Sequence, residues 1–504
     1  MYLPSIQQIR EIDTFTIEYE GIKSTDLMER AALSCTKYIL KNFDKETKVY
    51  LFCGPGNNGG DGFAMARQLF FAKYNITLYY DNNAKMSHDA DYNFTLLKQY
   101  APETIHIFDP NKINVIPENS IIIDALFGTG LSKPIAGIYA QMIDVINNSN
   151  ATTLSVDMPS GIQNDSTPLE DSKIVNANIT LSFEFYKKNF LLPENEPYVG
   201  KIEILPIGLK SNEYFANKQA DNFVITTKAA SKILKKPSLH THKGDNGRAL
   251  LIVGSKEMSG AAVLATKACL KSGIGIAHVA VPESIRTVLQ ISCPEAIVHT
   301  YHDDEIIDWK ILTSNKINSI AIGSGWGKSE NNKQILVEIF EQTNIQLILD
   351  ADALNIMAEN PELLVKLPQN SILTPHPIEF ERLTNKKGNR EQQWEILREF
   401  SKKHGCYCIL KGAYTAIGTP DGKLYFNTSG NSGMATGGSG DVLCGIIAAL
   451  CAQNYNPLNA TILGVYLHGL AADIAINNDE SKESLTPSDI IAYLGKGFKE
   501  IKEQ

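Results

Sequence analysis

The chain has no C-x-x-C pair. Its eight cysteines are scattered at positions 35, 53, 269, 293, 406, 408, 444 and 451, which excludes zinc-ribbon spacing and a dithiol redox motif. They are expected to be reduced, mostly buried thiols of a cytoplasmic protein. There is no long basic block and the net charge is −9, so nothing points to nucleic acid or another polyanion. No basic segment leading into an apolar one follows Met1, so no secretory signal is expected. No apolar window approaches the roughly twenty residues of a membrane span, so no membrane is expected either. Internal repeats and low-complexity tracts are absent. The first glycine-rich loop, Gly54 to Gly62, is not followed by Gly-Lys-Ser/Thr, so it is not a Walker phosphate loop.

What is present fits two globular domains: 504 residues, 43% hydrophobic and 20% charged. After an amphipathic N-terminal segment, Val49 to Cys53 reads as a strand. It runs into Gly54-Pro55-Gly56-Asn57-Asn58-Gly59-Gly60-Asp61-Gly62, with a helix expected over Phe63 to Ala72. Further strands are expected at Ile76 to Tyr80, Ser120 to Asp124 and Thr153 to Asp157, the last two followed by Ala125 to Leu131 and Met158-Pro159-Ser160-Gly161. Short apolar runs alternating with helices argue for parallel α/β sheets, whose ligands bind beyond the carboxyl ends of the strands. Three strand ends here carry Asn57, Asn58 and Asp61, then Asp124, then Asp157 and Ser160, each beside glycine. They read as one built site, or else as a set of caps and turns. Asp124, a carboxylate at a strand end near the glycine loops, is a candidate acid/base.

The pattern weakens between about 205 and 225, so the domains are drawn as 1–212 and 225–504 with a linker at 213–224. The second half repeats one device: an apolar strand, then a turn with glycine and a polar group. Gly325, Asp350, Asp352, His376, Lys411 and Asp441 sit on such turns and would converge on one sheet edge. His376 lies between two prolines and reads as a structural hydrogen bonder or a catalyst. Lys411 reads as a phosphate partner or a solvated surface lysine. The last turn, Gly437-Gly438-Ser439-Gly440-Asp441, precedes the apolar run Val442 to Ala452. Glycines at a helix N-terminus suit an anion. The acid beside them is out of place unless it takes a proton from a hydroxyl that attacks the phosphate; the alternative is a capped turn.

On these strings the second half resembles the ribokinase-like superfamily, and more closely the ADP/ATP-dependent NAD(P)H-hydrate dehydratases. The match rests on His242 to Gly247, Gly254-Ser255 with Ser259 to Ala262, Asp350 to Asn355, Thr374-Pro375-His376-Pro377, Lys411-Gly412 and Gly437 to Asp441. The first half is similar to the NAD(P)H-hydrate epimerases through Gly54 to Gly62, Asp124 to Gly130 and Val156 to Gly161. Two departures are small: Val253 stands where a glycine is expected, and Gly-Gly-Ser-Gly-Asp replaces Gly-Thr-Gly-Asp.

The resemblance implies two α/β domains, each a mostly parallel sheet flanked by helices, Rossmann-like then ribokinase-like. It implies repair of hydrated NADH and NADPH (NADHX and NADPHX): epimerisation of the R and S forms, and dehydration of the S form driven by ADP or ATP with Mg²⁺ through a phosphorylated intermediate. Epimerase substrate contacts would be Asn57, Asn58, Gly59, Gly60, Asp61, Gly128, Thr129, Gly130, Leu131, Ser132, Lys133, Pro134, Tyr139 and Asp157. A K⁺ ion would bind Asn58, Asp124 and Ser160. In the dehydratase, Ala262, Gly325, His376 and Asp441 would meet the hydrate, with Asp441 as base. Lys411, Gly412, Ala413, Tyr414, Thr415, Gly438, Ser439 and Gly440 would hold the nucleotide. A homo-oligomer is expected. The alternatives are a small-molecule kinase of the ribokinase-like class, and a first domain that senses a nucleotide without turnover.

Overall fold

The computed structural model describes residues 1–113, 115–131, 134–163, 172–236, 238–302, 308–313 and 316–503. The chain divides into two units, Tyr2–Ala220 and a second that starts at Asp221 and includes Met1.

In the first unit the strands are β1 (Val49–Cys53), β2 (Ile76–Tyr80), β3 (Ile105–Ile107), β4 (Ile121–Ala125), β5 (Thr152–Val156), β6 (Ile179–Phe183) and β7 (Lys201–Leu205). They form one sheet in the order β3-β2-β1-β4-β5-β6-β7, with every pairing parallel. Val49, Leu51 and Cys53 enter one core cluster while Phe52 enters another. Both faces of β1 are therefore covered, which is why it reads as an unbroken apolar run. β1 has β2 on one side and β4 on the other, so the strand order reverses there and opens the crevice in which such folds bind ligands.

The second unit contains β8 (Asn222–Ile225), β9 (Arg248–Ile252), β10 (Ile276–Pro282), β11 (Ile297–Tyr301), β12 (Ser319–Ile322), β13 (Gln346–Leu349), β14 (Ile372–Leu373), β15 (Tyr407–Leu410), β16 (Ala416–Gly418) and β17 (Leu424–Asn427). Their order is β11-β10-β9-β12-β13-β14-β15-β16-β17-β8. Pairing is parallel except where β16 runs antiparallel to β15 and β17. Here the order reverses at β9.

Three expectations shift. Only Gly54 to Gly56 form a turn after β1: the helix runs Asn57–Phe71 and takes in the rest of the glycine-rich segment, Asn57 to Gly62. A Cβ on Gly59 would lie 1.8 Å from the Gly54 carbonyl oxygen, and one on Gly62 would lie 2.6 Å from Cys53 Sγ. Glycine is what lets this helix lie directly on the strand ends. The stretch 213–224 is ordered structure: a short helix, Ser211–Ala216, buries Tyr214 and Phe215 against Ile9 and Ile12, and β8 begins at Asn222. One helix, Pro457–Asn478, is long and apolar enough by length and composition to cross a membrane. Its apolar residues, among them Leu463, Leu467 and Ala471, are taken up in the core of the second unit.

All eight cysteines are buried and unpaired. The helix Ser439–Ala452 is buried from Val442 to Ala452, and a Cβ on Gly445 would lie 2.1 Å from the Ala265 carbonyl oxygen of the neighbouring helix Ser259–Lys271. Helix propensity favours Gly445→Ala by about 1 kcal/mol. The backbone clash outweighs it, and a net loss of about 1–3 kcal/mol is expected, read as a lower urea midpoint for the second unit. A raised midpoint would show that the helices separate without cost.

Candidate active sites

In the first unit the site forms at the carboxyl ends of β1, β4 and β5. Asp124, on β4, is fully buried. Its Oδ1 accepts from Ser160 Oγ at 2.6 Å and Leu126 N at 3.2 Å; its Oδ2 accepts from Ser155 Oγ at 2.7 Å and Ser160 N at 2.9 Å. Burial raises its pKa and these hydrogen bonds oppose the rise. Each of its oxygens thus already takes two hydrogen bonds, an arrangement that suits an anchor or an ion ligand. Ser160 Oγ also meets the Phe127 backbone, accepting from its N–H at 2.8 Å and lying 3.0 Å from its carbonyl oxygen.

Asn58 stands in the first turn of the helix at β1. Its Nδ2 is buried with no partner. A Cβ on Gly128 would lie 3.2 Å from Asn58 Oδ1 and 3.5 Å from Asp157 Oδ2, so these three residues face one space. Asp61 is buried in the same helix. Burial, then the charges of Asp157, Asp13 and Asp89, hold its pKa well above the carboxylate range. Asn57 accepts from Ser87 Oγ at 2.8 Å, beside a cleft of about 590 Å³ lined by Tyr80, Asp81, Lys85, Ser87, His88 and Phe94 among others. Gly59 and Gly60 lie in the helix. Thr129 accepts from Arg10, and Leu131 packs with the cluster to which Tyr139 and Phe127 also belong. Burial and Asp81 raise the Tyr139 pKa. Gly130 is open to a Cβ and Pro134 is exposed. Ser132 and Lys133 lie outside the described residues.

Two site residues carried no motif. Asp13, in the N-terminal helix, is pushed up to about 6 by burial and then by Asp157, with Lys187 opposing. Lys187 is 1% exposed and pairs with Asp157 Oδ1 at 2.7 Å.

In the second unit the turns after β12 to β15 meet the N-terminus of the helix Ser439–Ala452. Asp350 is the hub. Ser324 Oγ donates to its Oδ2 at 3.0 Å, while Thr374 Oγ1 at 2.7 Å and Lys411 Nζ at 3.1 Å donate to its Oδ1. Burial lowers the Lys411 pKa, but Asp350 and Glu379 more than offset this and the net shift is upward. The ammonium therefore stays charged, and a Cβ on Gly440 would lie 3.1 Å from it. That places a cation against the glycine turn, in a side chain held largely out of solvent by its Asp350 partner. Gly438, at φ 96°, is the N-cap; Ser439 Oγ lies 3.4 Å from Nε2 of the buried His468, whose pKa is lowered to about 4 by burial and then by Lys411. Asp441 is in the first helical turn, not ahead of the helix. Burial and then Asp350 raise it to about 7.

His376 caps the helix Pro377–Thr384. Its Nδ1 accepts from Ile378 and Glu379 N–H, and its own N–H donates to Glu379 at 2.8 Å. A Cβ on Gly325 would lie 2.9 Å from Ala261 Cβ, and one on Gly254 would lie 2.7 Å from Ala262 Cβ; the turns after β9 and β12 thus press on the helix that holds Ala262. Gly412 to Thr415 form a tight turn closed by Thr415 Oγ1 on the Gly412 carbonyl at 2.9 Å, with Tyr414 at φ 51° and Ala413 exposed.

With this geometry in hand, comparison with known proteins is specific. Residues 249–496 match the NAD(P)H-hydrate dehydratase family and residues 24–189 match the YjeF-related protein N-terminus. The bifunctional NAD(P)H-hydrate repair enzyme Nnr of Thermofilum pendens is 31% identical over 100% of this chain and 97% of its own. The enzyme of the same name from Coxiella burnetii is 31% identical over 97% of each. Among solved structures, the ADP/ATP-dependent NAD(P)H-hydrate dehydratase of Bacillus subtilis, co-crystallised with ATP and Mg²⁺, is 30% identical with a TM-score of 0.50, covering 56% of this chain and 99% of that one. A ribokinase-like superfamily protein from Enterococcus faecalis is 28% identical with a TM-score of 0.51, covering 56% and 97%.

The Asp441 shift has a sign that can be measured. An aspartate raised to about 7 in the fold binds its proton more tightly there than in the unfolded chain, where it titrates near ~3.9. Its burial costs nothing below about pH 4 and destabilises progressively as pH rises towards 7. Asp441→Asn, without ligands, is expected to be more stable than the parent by about 1–2 kcal/mol at pH 8, allowing for partial exposure, and equal to it near pH 4. Calorimetric melting at both pH values checks this; equal melting points at pH 8 would deny the shift.

Proposed function

The chain belongs to the bifunctional NAD(P)H-hydrate repair enzymes, and from that premise we propose how its residues divide the work. It is an NAD(P)H-hydrate epimerase and an ADP/ATP-dependent NAD(P)H-hydrate dehydratase. The kinase and sensor alternatives give way to this two-activity family, which the chain matches along its whole length.

For dehydration, the carrying observation is the raised carboxyl of Asp441 in the first turn of a helix whose glycine turn faces Lys411. A base that titrates near 7 is tuned for its task at neutral pH. Asp441 takes the proton of the C6 hydroxyl on the S epimer as that oxygen attacks the terminal phosphorus of ADP or ATP, breaking the bridging P–O bond and releasing AMP or ADP. The N–H groups of Gly438 to Gly440 and the Lys411 ammonium receive the transferring phosphoryl, where charge builds. Phosphate then leaves C6 with the C–O electron pair, pushed by the lone pair of N1. Loss of a proton from C5 restores the dihydropyridine. Asp350 holds Lys411 and Ser324 in place. Gly412 to Thr415 support the nucleotide, and Ala262, Gly325 and His376 border the hydrate. Among the described residues no group of three His, Cys, Asp or Glu side chains could hold a metal alone, so Mg²⁺ would arrive with the nucleotide phosphates.

For epimerisation, Asp157 takes the proton-transfer role. Its Oδ1 is held by Lys187 and its Oδ2 faces Gly128. Removal of the C6 hydroxyl proton opens the C6–N1 bond to an aldehyde, Asp61 supplies the proton to N1, and closure on the other face inverts C6. The glycines and side chains from Asn57 to Asp61 and Gly128 to Pro134, with Tyr139, enclose the ring, and the 590 Å³ cleft takes the remaining dinucleotide. K⁺ fits the floor of this site. The buried Asn58 amide has an orphaned Nδ2, and rotating that amide by half a turn presents an oxygen instead. With Asp124, Ser160 and the Phe127 carbonyl, the donors would all be oxygen, as a hard cation requires, and K⁺ held by them would supply positive charge to the site. A homo-oligomer belongs to the same proposal, through the family alone.

The direct test incubates NADHX with the protein and follows return of the dihydronicotinamide absorbance, with ADP and ATP in parallel. Asp441→Asn is expected to bind nucleotide with little change and to lose about 10³-fold or more in dehydratase kcat; near-parental turnover would remove Asp441 from the base role. In the parent, kcat/KM for the S epimer should rise with pH through an inflection near 7. Exchanging K⁺ for Li⁺ should slow R-epimer turnover and leave S-epimer turnover unchanged; equal slowing of both would take K⁺ away from the first unit.

A further inference from the structure

We propose that Lys187 is a positioning residue of the epimerase site: its ammonium clamps two strained turns together and thereby presents Asp157 to the substrate. The inference rests on the proton-transfer reading of Asp157 given above.

Asp157 follows β5 in the left-handed region, at φ 64°. The Met158 N–H donates to the Val156 carbonyl at 2.8 Å, closing a three-residue turn around it. One strand over, Glu184 follows β6 at φ 56°, and the Phe185 N–H closes the same turn on the Phe183 carbonyl at 2.6 Å. Such positive-φ turns are rare and strained, and persist only where the surroundings hold them. The Glu184 turn is held from one side by its own carboxylate, which accepts from the N–H groups of Ile207 at 2.8 Å and Gly208 at 3.1 Å.

Lys187 holds the two turns to each other. Its Nζ donates to Asp157 Oδ1 at 2.7 Å, Ser182 Oγ at 2.9 Å and the Phe183 carbonyl at 3.1 Å. An ammonium has three donors, and all three are engaged in a side chain 1% exposed. Ser182 is itself fixed, donating to the Phe185 carbonyl at 2.7 Å. The lysine therefore has no proton left for a substrate oxygen and no free amine for covalent chemistry. What it does is set one oxygen of Asp157 and leave the other facing Gly128. Lys188, next in sequence, is exposed to a degree that Lys187 is not, so the pair of lysines is not interchangeable.

The test uses the full chain and separated epimers with ADP. S-epimer turnover reads the second unit alone; R-epimer turnover above the spontaneous rate needs the first unit as well. Lys187→Met is expected to lower epimerase kcat by about 100-fold, the loss typical of a misplaced reacting group, with KM for the R epimer changed less than about 3-fold and S-epimer turnover intact. Added to Asp157→Asn, it should cause no further loss, because it acts through Asp157. Ser182→Ala, which leaves the charge and removes one anchor, should give a smaller fall in kcat at unchanged KM, and it carries the test if Lys187→Met does not fold. Parental kcat in the folded Met variant, losses that multiply in the double variant, or a rise in KM alone would each overturn the inference. A parental chain that does not interconvert the epimers would instead overturn the reading of the site itself.

Discussion

Each sheet of this protein is tied at its carboxyl edge by a buried aspartate whose charge is consumed by neighbours. Moving a carboxylate out of water costs several kcal/mol unless hydrogen bonds replace the lost solvent. Asp124 meets that demand with donors from the turns after β4 and β5 and from β5 itself. Asp350 meets it with Ser324, Thr374 and Lys411, one from each of three separate strand ends. Because the donors come from different strands, satisfying one carboxylate fixes the relative positions of several turns. The glycine turns and the crevices at both sheet edges inherit their geometry from those two residues.

The same arrangement sets a second acid near each anchor. Asp350 is saturated and Asp441, close enough to feel its charge, is not; the second carboxyl is raised to about 7 by burial and by the first. In the first unit Asp124 is saturated while Asp157 keeps one oxygen directed at Gly128. Two unrelated sheets thus solve one problem alike. A hydrogen-bonded carboxylate organises the turns, and a second acid lies at the same strand ends.

Much of this was legible in the sequence because parallel strands covered on both faces read as plain apolar runs, and the turns after them carry glycine and acids in bulk. Asp124, Asp350 and Asp441 were visible for that reason. What escaped depends on contacts between distant segments. Nothing near Lys187 announces that it reaches Asp157, and Asp13 hides in an amphipathic helix. Ser324 and Thr374 are ordinary turn residues until Asp350 joins them. Helix starts at Asn57 and Ser439 were missed because glycines that lower helix propensity are here required by the backbone they rest on. The 213–224 stretch looked like a linker by polarity, yet Tyr214 and Phe215 anchor it to the first core.

The cysteines bear on durability. Every one of the eight thiols is buried, and burial pushes each of them up in pKa. Oxidants and electrophiles attack the thiolate and need access to it, and this fold offers neither. An enzyme that mends a damaged redox carrier therefore keeps all of its thiols out of reach under the conditions that do the damage.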